Sequence, residues 1–352
     1  MTKIGLFFCI VLFGFSPIYQ SSVKVLPSQE DVYTSPLVLS DGIVFVGASG
    51  TVSNWPEKKI IWDSGYKLRL HPKVIDLDEL IIFPGVFSPE VAAFTSEGKK
   101  VWSFRVPGIP SSPARMGENL ITHSNKGFLT LTNKKGEILQ QDFVGVKSQI
   151  FHSYPVVIDE NKVLIYGSDM EEGRGSMVLW DMGKRSELWV LKYEDSFISP
   201  PAFNEDTLII KSGDSSGRIV LIEMDTGMII SKVGFAGSND LRFTSAANKG
   251  DFFYLSLNST VIKVGKNGEV VWEFSGEGIF TSPVVWGDYL VLGSRNTASE
   301  SGNGVGFFNL DTGDLVYWHE LENGINADPI ISNESCIVVG RDGLAHFFKL
   351  ED

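Results

Sequence analysis

A repeat of about forty residues constrains the fold of this chain more than any other feature of its sequence. The clearest copy, residues 280–318, contains four short runs of apolar and β-branched residues. Turn-forming residues bound these runs, as at Gly287-Asp288 and at Gly313. Because such runs between turn formers are typical of β-strands, each copy predicts one four-stranded antiparallel sheet.

Two markers divide the chain into eight copies. The first is a residue followed by proline, replaced by Ser245-Ala246 in the sixth copy, and it occurs at Ser35, His71, Ser112, Tyr154, Ser199, Ser282 and Asp328. The second is a glycine turn that leads into a strand with tryptophan, as from Gly98 to Trp102 and from Gly313 to Trp318. Short strands at this period predict an all-β fold, an eight-bladed β-propeller of four-stranded antiparallel blades. Seven blades stay an alternative, because the first copy is degenerate at residues 53–59.

The last copy predicts how the ring closes. It contains three strand-like runs, at residues 329–331, 336–339 and 344–350, and lacks a fourth. We expect residues 23–26 to supply the missing outer strand, so that the N-terminal strand pairs with the last blade. Such closure removes sheet edges that would otherwise invite aggregation. The prediction is a single propeller domain over residues 23–352.

The first 22 residues predict export from the cytoplasm. Lys3 precedes an apolar run at residues 4–15, and Gly14 and Ser16 fit the small residues of a cleavage site. Residues 1–22 are therefore interpreted as a signal peptide or as an uncleaved N-terminal anchor, and both alternatives stay open. The expected location is the periplasm or the exterior, with membrane tethering if the segment is retained and no other membrane insertion.

Charge and cysteine content exclude some functions. The net charge of −13 argues against binding to nucleic acid or to an anionic membrane surface. After removal of the first 22 residues only Cys336 remains, so no disulfide is expected, and its apolar surroundings in sequence indicate a buried side chain. We expect a monomer.

The glycine turns followed by tryptophan, together with openings such as Ser-Pro-Val-Val at residues 282–285, carry a family resemblance. The chain resembles the quinoprotein-type (PQQ-like) β-propeller repeat proteins and is similar in size and organisation to the BamB family, the factor B lipoproteins of outer-membrane barrel assembly. The resemblance implies a non-catalytic protein-binding scaffold in the cell envelope, with a protein partner in outer-membrane assembly. The lipidated cysteine of that family follows the apolar segment, whereas Cys9 lies inside it.

The competing interpretations are enzymatic or ligand-binding. Quinone-dependent dehydrogenases share the repeat and imply pyrroloquinoline quinone and calcium in the axial funnel, but the chain lacks their adjacent cysteine pair and long insertions. We therefore predict no cofactor, no metal and no catalytic residue, with a small-ligand-binding or quinone-dependent enzyme or sensor as the alternative. The five histidines lack metal-ligand spacing. The acidic loop at residues 169–175 is interpreted as solvated, with weak calcium binding as its alternative.

Two Asp-Thr-Gly triplets, at Asp225 and Asp311, also occur in aspartic proteases, where two carboxylates share a proton. Here they are separated by about two repeat periods. The same hairpin turn in two different blades is therefore the favoured interpretation.

A candidate site comes from counting three residues back from each proline marker or its equivalent. The count gives Tyr33, Arg69, Pro110, His152, Phe197, Phe243, Phe280 and Asn326. These positions fall where the outer strand of one blade passes to the inner strand of the next, and such connections open on one face of a propeller. One interpretation is a partly apolar platform at the funnel mouth for a peptide or small ligand. The other is that the same side chains pack as wedges between blades.

Overall fold

The computed structural model describes residues 16–27, 31–56, 61–68, 73–148, 153–169, 174–193, 199–212, 218–234, 244–296, 301–332 and 334–351. The regular elements in these ranges are β-strands, which confirms the predicted all-β class. None of the described segments forms an apolar helix of the length that crossing a bilayer requires.

Blades one to four contain the first half of the strands. They are β2 (Leu37–Leu39), β3 (Gly42–Val46), β4 (Thr51–Trp55) and β5 (Ile61–Asp63); β6 (Ile75–Leu77), β7 (Leu80–Pro84), β8 (Glu90–Phe94) and β9 (Lys100–Arg105); β10 (Ala114–Met116), β11 (Asn119–His123), β12 (Phe128–Thr132) and β13 (Ile138–Phe143); β14 (Val156–Val157), β15 (Lys162–Asp169), β16 (Arg174–Asp181) and β17 (Ser186–Tyr193).

Blades five to eight contain the remainder. They are β18 (Ala202–Phe203), β19 (Thr207–Ser212), β20 (Arg218–Glu223) and β21 (Ile229–Gly234); β22 (Ala247–Lys249), β23 (Phe252–Leu257), β24 (Thr260–Gly265) and β25 (Val270–Ser275); β27 (Val284–Trp286), β28 (Tyr289–Arg295), β29 (Gly304–Asn309) and β30 (Leu315–Glu320), with β26 (Ile279–Phe280) also pairing with β28; β31 (Ile330–Ser332), β32 (Ser335–Val339), β33 (Leu344–Glu351) and β1 (Ser16–Lys24).

In blades one to six the four strands lie side by side in sequence order, whereas blade eight has the order β1-β33-β32-β31 and blade seven carries β26 in addition to its four strands. Neighbouring strands pair antiparallel, and the prediction of eight four-stranded blades is confirmed. Position within the blade sets the burial of each strand. In blade five all six residues of the second strand, β19, are buried, whereas half-buried residues alternate with exposed ones along the outer strand of blade six, β25. The middle strands are therefore covered on both faces by neighbouring blades, while the outer strands form the rim.

The hydrophobic core lies between the blades. Among the described residues, eight apolar clusters each join two neighbouring blades, and one of them joins blade eight to blade one. In that closing cluster Phe45 of blade one packs with Ile337 and Phe347 of blade eight. Each sheet thus buries its apolar face only when both neighbours are present.

The N-terminal strand closes the ring, as predicted, but it is longer than the sequence indicated. β1 pairs antiparallel with β33 from Ser16, opposite Glu351, to Lys24, opposite Leu344. The backbone N–H groups of Val25 and Leu26 both donate to the carbonyl of Gly343, at 3.0 and 3.2 Å. The outer strand of blade eight therefore begins inside the segment 1–22 that the sequence assigned to a signal peptide or anchor.

The glycine and tryptophan markers meet across the blade interface. Trp62 of blade one donates from Nε1 to the carbonyl of Ser96 in blade two at 2.9 Å, and a Cβ on Gly98 would lie 2.6 Å from the Trp62 ring. Trp102, Trp189 and Trp272 make the same kind of bond to the next blade. Each glycine therefore leaves space for the tryptophan of the preceding blade.

One interface keeps the hydrogen bond without the tryptophan. In blade three, Gln140 donates from Nε2 to the carbonyl of Met182 in blade four at 3.2 Å. Beside it, Arg185 of blade four forms an ion pair with the buried carboxylate of Asp142. A polar contact thus replaces the packed ring at this interface.

Candidate functional site

A cavity of about 160 Å³ lies on the propeller axis. Its lining includes at least one residue from the region that enters each of the eight blades: Tyr33, Lys73, Ser112, Tyr154, Pro200, Thr244, Phe280 and Asn326. The lining also includes Asn258, in the turn between β23 and β24, and Arg295, at the end of β28. We call this space the axial cavity.

Hydrogen bonds between blades define the cavity wall. We call the residue two positions before each inner strand the entry residue, and the eight are Ser35, Lys73, Ser112, Tyr154, Pro200, Ser245, Ser282 and Asp328. The backbone N–H of Lys73 donates to Ser112 Oγ at 2.7 Å, and that of Ser245 donates to Ser282 Oγ at 3.0 Å. The backbone N–H of Ser282 in turn donates to Asp328 Oδ1 at 2.9 Å. The short polar side chain of the repeat marker therefore links one blade to the next.

Three entry residues that depart from serine bring charge and an aromatic ring to the axis. Lys73 Nζ lies 3.7 Å from Asp328 Oδ2 and 4.9 Å from the centre of the Tyr154 ring. The Tyr154 phenol first, and then the Asp328 carboxylate, raise the pKa of Lys73 against the opposing effect of burial. Lys73 therefore stays cationic at neutral pH.

Three further polar groups of the cavity have no partner among the described residues. Arg295 is half-buried, and its guanidinium forms no hydrogen bond or ion pair within the described chain. Asn326 Nδ2 and Asn258 Oδ1 are both shielded from solvent and likewise lack a hydrogen-bonding partner there. Buried polar atoms are normally paired, so an unpaired donor and an unpaired acceptor in one cavity indicate a place for a ligand or ordered water.

Of the eight positions that the sequence predicted at the funnel mouth, the structure describes Tyr33, Pro110, Phe280 and Asn326. All of these except Pro110 line the axial cavity. Tyr33 is half-buried, and its hydroxyl donates to Asp31 Oδ2 at 3.3 Å. Asn326 supplies the unpaired amide described above. Phe280 is 3% exposed, and its ring centre lies 6.5 Å from that of Phe274 in blade six, so it packs between blades six and seven while bounding the cavity.

The other four predicted residues, Arg69, His152, Phe197 and Phe243, lie outside the described residues. Their role stays a prediction. Pro110, from the same count, is buried and pairs with Ser124 through a β-bridge.

Sequence reasoning missed Lys73, Arg295 and Asn258. Strand register shows why Lys73 was missed. In blade two the entry residue is Lys73, two residues after the marker His71, and in blade five the entry residue is Pro200, one residue after the marker Ser199. Counting back from proline was therefore out of register in two blades. Replacement of serine by Tyr154 and Asp328 at the marker was the signal that could have pointed to the cavity.

The two Asp-Thr-Gly triplets that the sequence offered as a catalytic pair lie in different blades. Asp225 lies in the turn between β20 and β21 of blade five, and Asp311 in the turn between β29 and β30 of blade seven. These triplets thus occupy equivalent turns of different blades, as the repeat predicted. Within the described ranges no group of three or more histidine, cysteine or acidic side chains is arranged to hold a metal ion.

The closed ring and its axial cavity define the chain as an eight-bladed propeller of the quinoprotein type. The family model described as outer membrane protein assembly factor BamB matches residues 21–233. The chain therefore belongs to the BamB family. No curated protein sequence matches it.

Solved structures share the whole fold. BamB from Moraxella catarrhalis is similar, with a TM-score of 0.70 and 18% identity over 95% of this chain and 98% of that one. Sqt1 from Saccharomyces cerevisiae has a TM-score of 0.71 and 13% identity over 95% of this chain and 100% of that one. The computationally designed Ika8 protein has a TM-score of 0.71 and 15% identity over 93% of this chain and 100% of that one. At these identities the similarity concerns the fold alone.

Proposed function

We propose that this protein is an exported, non-catalytic scaffold of the cell envelope that binds a protein partner of the outer-membrane assembly machinery. The observation that carries the proposal is membership of the BamB family, the outer membrane protein assembly factors. The apolar N-terminal run of the sequence supports export. A ring in which every blade is held by two neighbours suits a rigid platform for a partner.

The outer strands supply a surface for that partner. β17 of blade four is eight residues long, lies at the end of its sheet, and exposes Leu188 and Val190. In the neighbouring blades, Phe143 of blade three and Ile230 of blade five are also exposed. An end strand with exposed apolar side chains can accept a partner strand through its free backbone groups. We propose strand addition at the rim of blades three to five.

Site-specific photo-crosslinking in the native envelope tests this proposal. A crosslinker at Val190 of β17 is expected to capture a component of the outer-membrane assembly machinery. The matched control is Val316 of β30 in blade seven, which is exposed to a similar extent on another outer strand. We expect no adduct to that component at Val316. Absence of an adduct at Val190, or equal capture at both positions, would contradict partner binding at this rim.

A further inference from the structure

We propose that the axial cavity binds a carboxylate beside an N–H group, as found in a free amino acid or in the C-terminal residue of a polypeptide. Arg295 and the Asn326 amide would donate to the carboxylate oxygens, and Asn258 Oδ1 would accept from the N–H. This inference goes beyond the scaffold proposal and does not depend on it, because the cavity and the rim strands are different surfaces.

The first argument is hydrogen-bonding capacity. The Arg295 guanidinium, with no partner in the described chain, offers the paired donors that match the two oxygens of a carboxylate. Asn326 Nδ2 adds a shielded donor and Asn258 Oδ1 a shielded acceptor, both unpaired. A carboxylate alone would leave Asn258 unsatisfied, whereas a carboxylate with a neighbouring N–H satisfies all three groups.

The second argument is charge. The cavity lining includes two cationic side chains, Lys73 and Arg295, and one anionic side chain, Asp328. Lys73 already faces Asp328 at 3.7 Å, which leaves Arg295 without a counter-ion among the described residues of the lining. The cavity is thus locally positive in a chain of net charge −13, and an anion is the complementary ligand.

The third argument is size and wall chemistry. The cavity volume of about 160 Å³ is close to that of an engineered apolar cavity that binds benzene. The axial cavity can therefore hold a group about as large as one side chain. Ile279, Phe280 and Ile325 give part of the wall an apolar character. A residue with a modest apolar side chain therefore fits better than a large cofactor.

Calorimetric titration of the purified full chain tests the inference with four probes. They are acetyl-glycyl-glycyl-leucine, the same peptide with a C-terminal amide, free leucine, and sodium acetate. Binding of the free-acid peptide but not of its amide supports a polypeptide C-terminus as the source. Binding of free leucine without the peptide supports a small molecule. No binding of any probe up to about 10 mM, or equal binding of acid and amide peptides, overturns the proposal.

Matched variants locate the site. Arg295→Gln is expected to weaken binding about tenfold or more, because a charged hydrogen-bonding pair is lost. The control Arg115→Gln removes the same charge from β10, where Arg115 forms ion pairs with Asp76 and Asp78 outside the cavity. Binding to the control should be unchanged, and equal weakening in both variants overturns the assignment. If Arg295→Gln does not fold, Asn326→Asp provides the same test, because its carboxylate would repel the ligand.

Discussion

At the residue scale, two glycines in the same conformation differ in what surrounds them. Gly98 has φ of +85° and lies against Trp62 of the preceding blade, whereas Gly65 has φ of +74° and has open space where a Cβ would point. Both positions favour glycine because of the left-handed backbone. Only Gly98 is also required by packing, since an added Cβ would meet the Trp62 ring at 2.6 Å.

The comparison predicts unequal costs for the same substitution. Gly98→Ala should lower the free energy of unfolding by about 2–3 kcal/mol, from backbone strain together with overpacking against Trp62. Gly65→Ala should cost only the strain, about 1 kcal/mol. Denaturant unfolding of the two variants measures the difference. Equal losses would contradict a role for Gly98 in accommodating the tryptophan.

Residue identity also explains which part of the site was predictable. Ser112 and Ser282, both before proline, accept a backbone N–H from the neighbouring blade, and such a repeated constraint leaves a repeated residue. Arg295 occupies a position that no repeat constraint fixes, so its sequence context gives no sign that it lines the same cavity as Asn326. A side chain whose role occurs in only one blade leaves no periodic signal in the sequence.

At the element scale, β1 combines strand pairing with an aromatic contact. Tyr19 stacks on His319 of β30, with ring centres 4.1 Å apart, and lies 5.7 Å from the ring centre of Phe348 in β33. His346, also on β33, is buried, and both its ring nitrogens lack a hydrogen-bonding partner in the described chain. The seam between blades seven and eight therefore contains two histidines, His319 and His346, with ring centres 6.0 Å apart.

This seam predicts loss of stability in acid. Burial lowers the pKa of His346 from 6.5 to about 4, with the charge of His319 adding to the decrease and Asp342 opposing it. The folded protein therefore keeps His346 neutral, while the unfolded chain takes up a proton below about pH 6.5. The contribution of neutral His346 to the free energy of unfolding is up to about 3 kcal/mol. This contribution is complete above pH 6.5 and is lost as the pH falls towards 4.

The measurement is the free energy of unfolding between pH 7 and pH 4 for the native chain and for His346→Phe. The variant should show a shallower pH dependence. Some dependence should remain, because burial also lowers the pKa of His123 to about 4, despite its hydrogen bond with the Val146 carbonyl. Identical pH profiles for the two proteins would contradict a titrating role for His346.

At the scale of the whole molecule, closure decides stability. Each of the eight apolar clusters spans two blades, and the cluster between blades seven and eight includes Tyr19 and Leu350 at its margin. A linear array of repeats would leave two terminal sheets with uncovered faces. The closed ring has no terminal sheet of this kind, and β1 completes the sheet of blade eight.

Removal of residues 16–24 tests the importance of that closure. The shortened chain should melt about 5 °C or more below the native protein, because β33 loses its pairing partner and the seam loses Tyr19. A synthetic peptide of residues 16–26 added in trans should restore part of the loss by strand addition. Calorimetry measures both effects, and an unchanged melting temperature would contradict a stabilising closure.

The sequence by itself determined the repeat, the all-β class and the pairing of the N-terminal strand with the last blade, and it favoured eight blades over seven. These follow from local patterns, namely turn glycines, short apolar runs and a missing fourth strand, each of which acts over a few residues. Only the tertiary structure decided that β1 begins at Ser16, that Lys73 occupies an entry position, and that Arg295, Asn326 and Asn258 share one cavity. The physical reason is that an axial site is assembled from single residues of separate blades, and their approach depends on the radius and register of the closed ring.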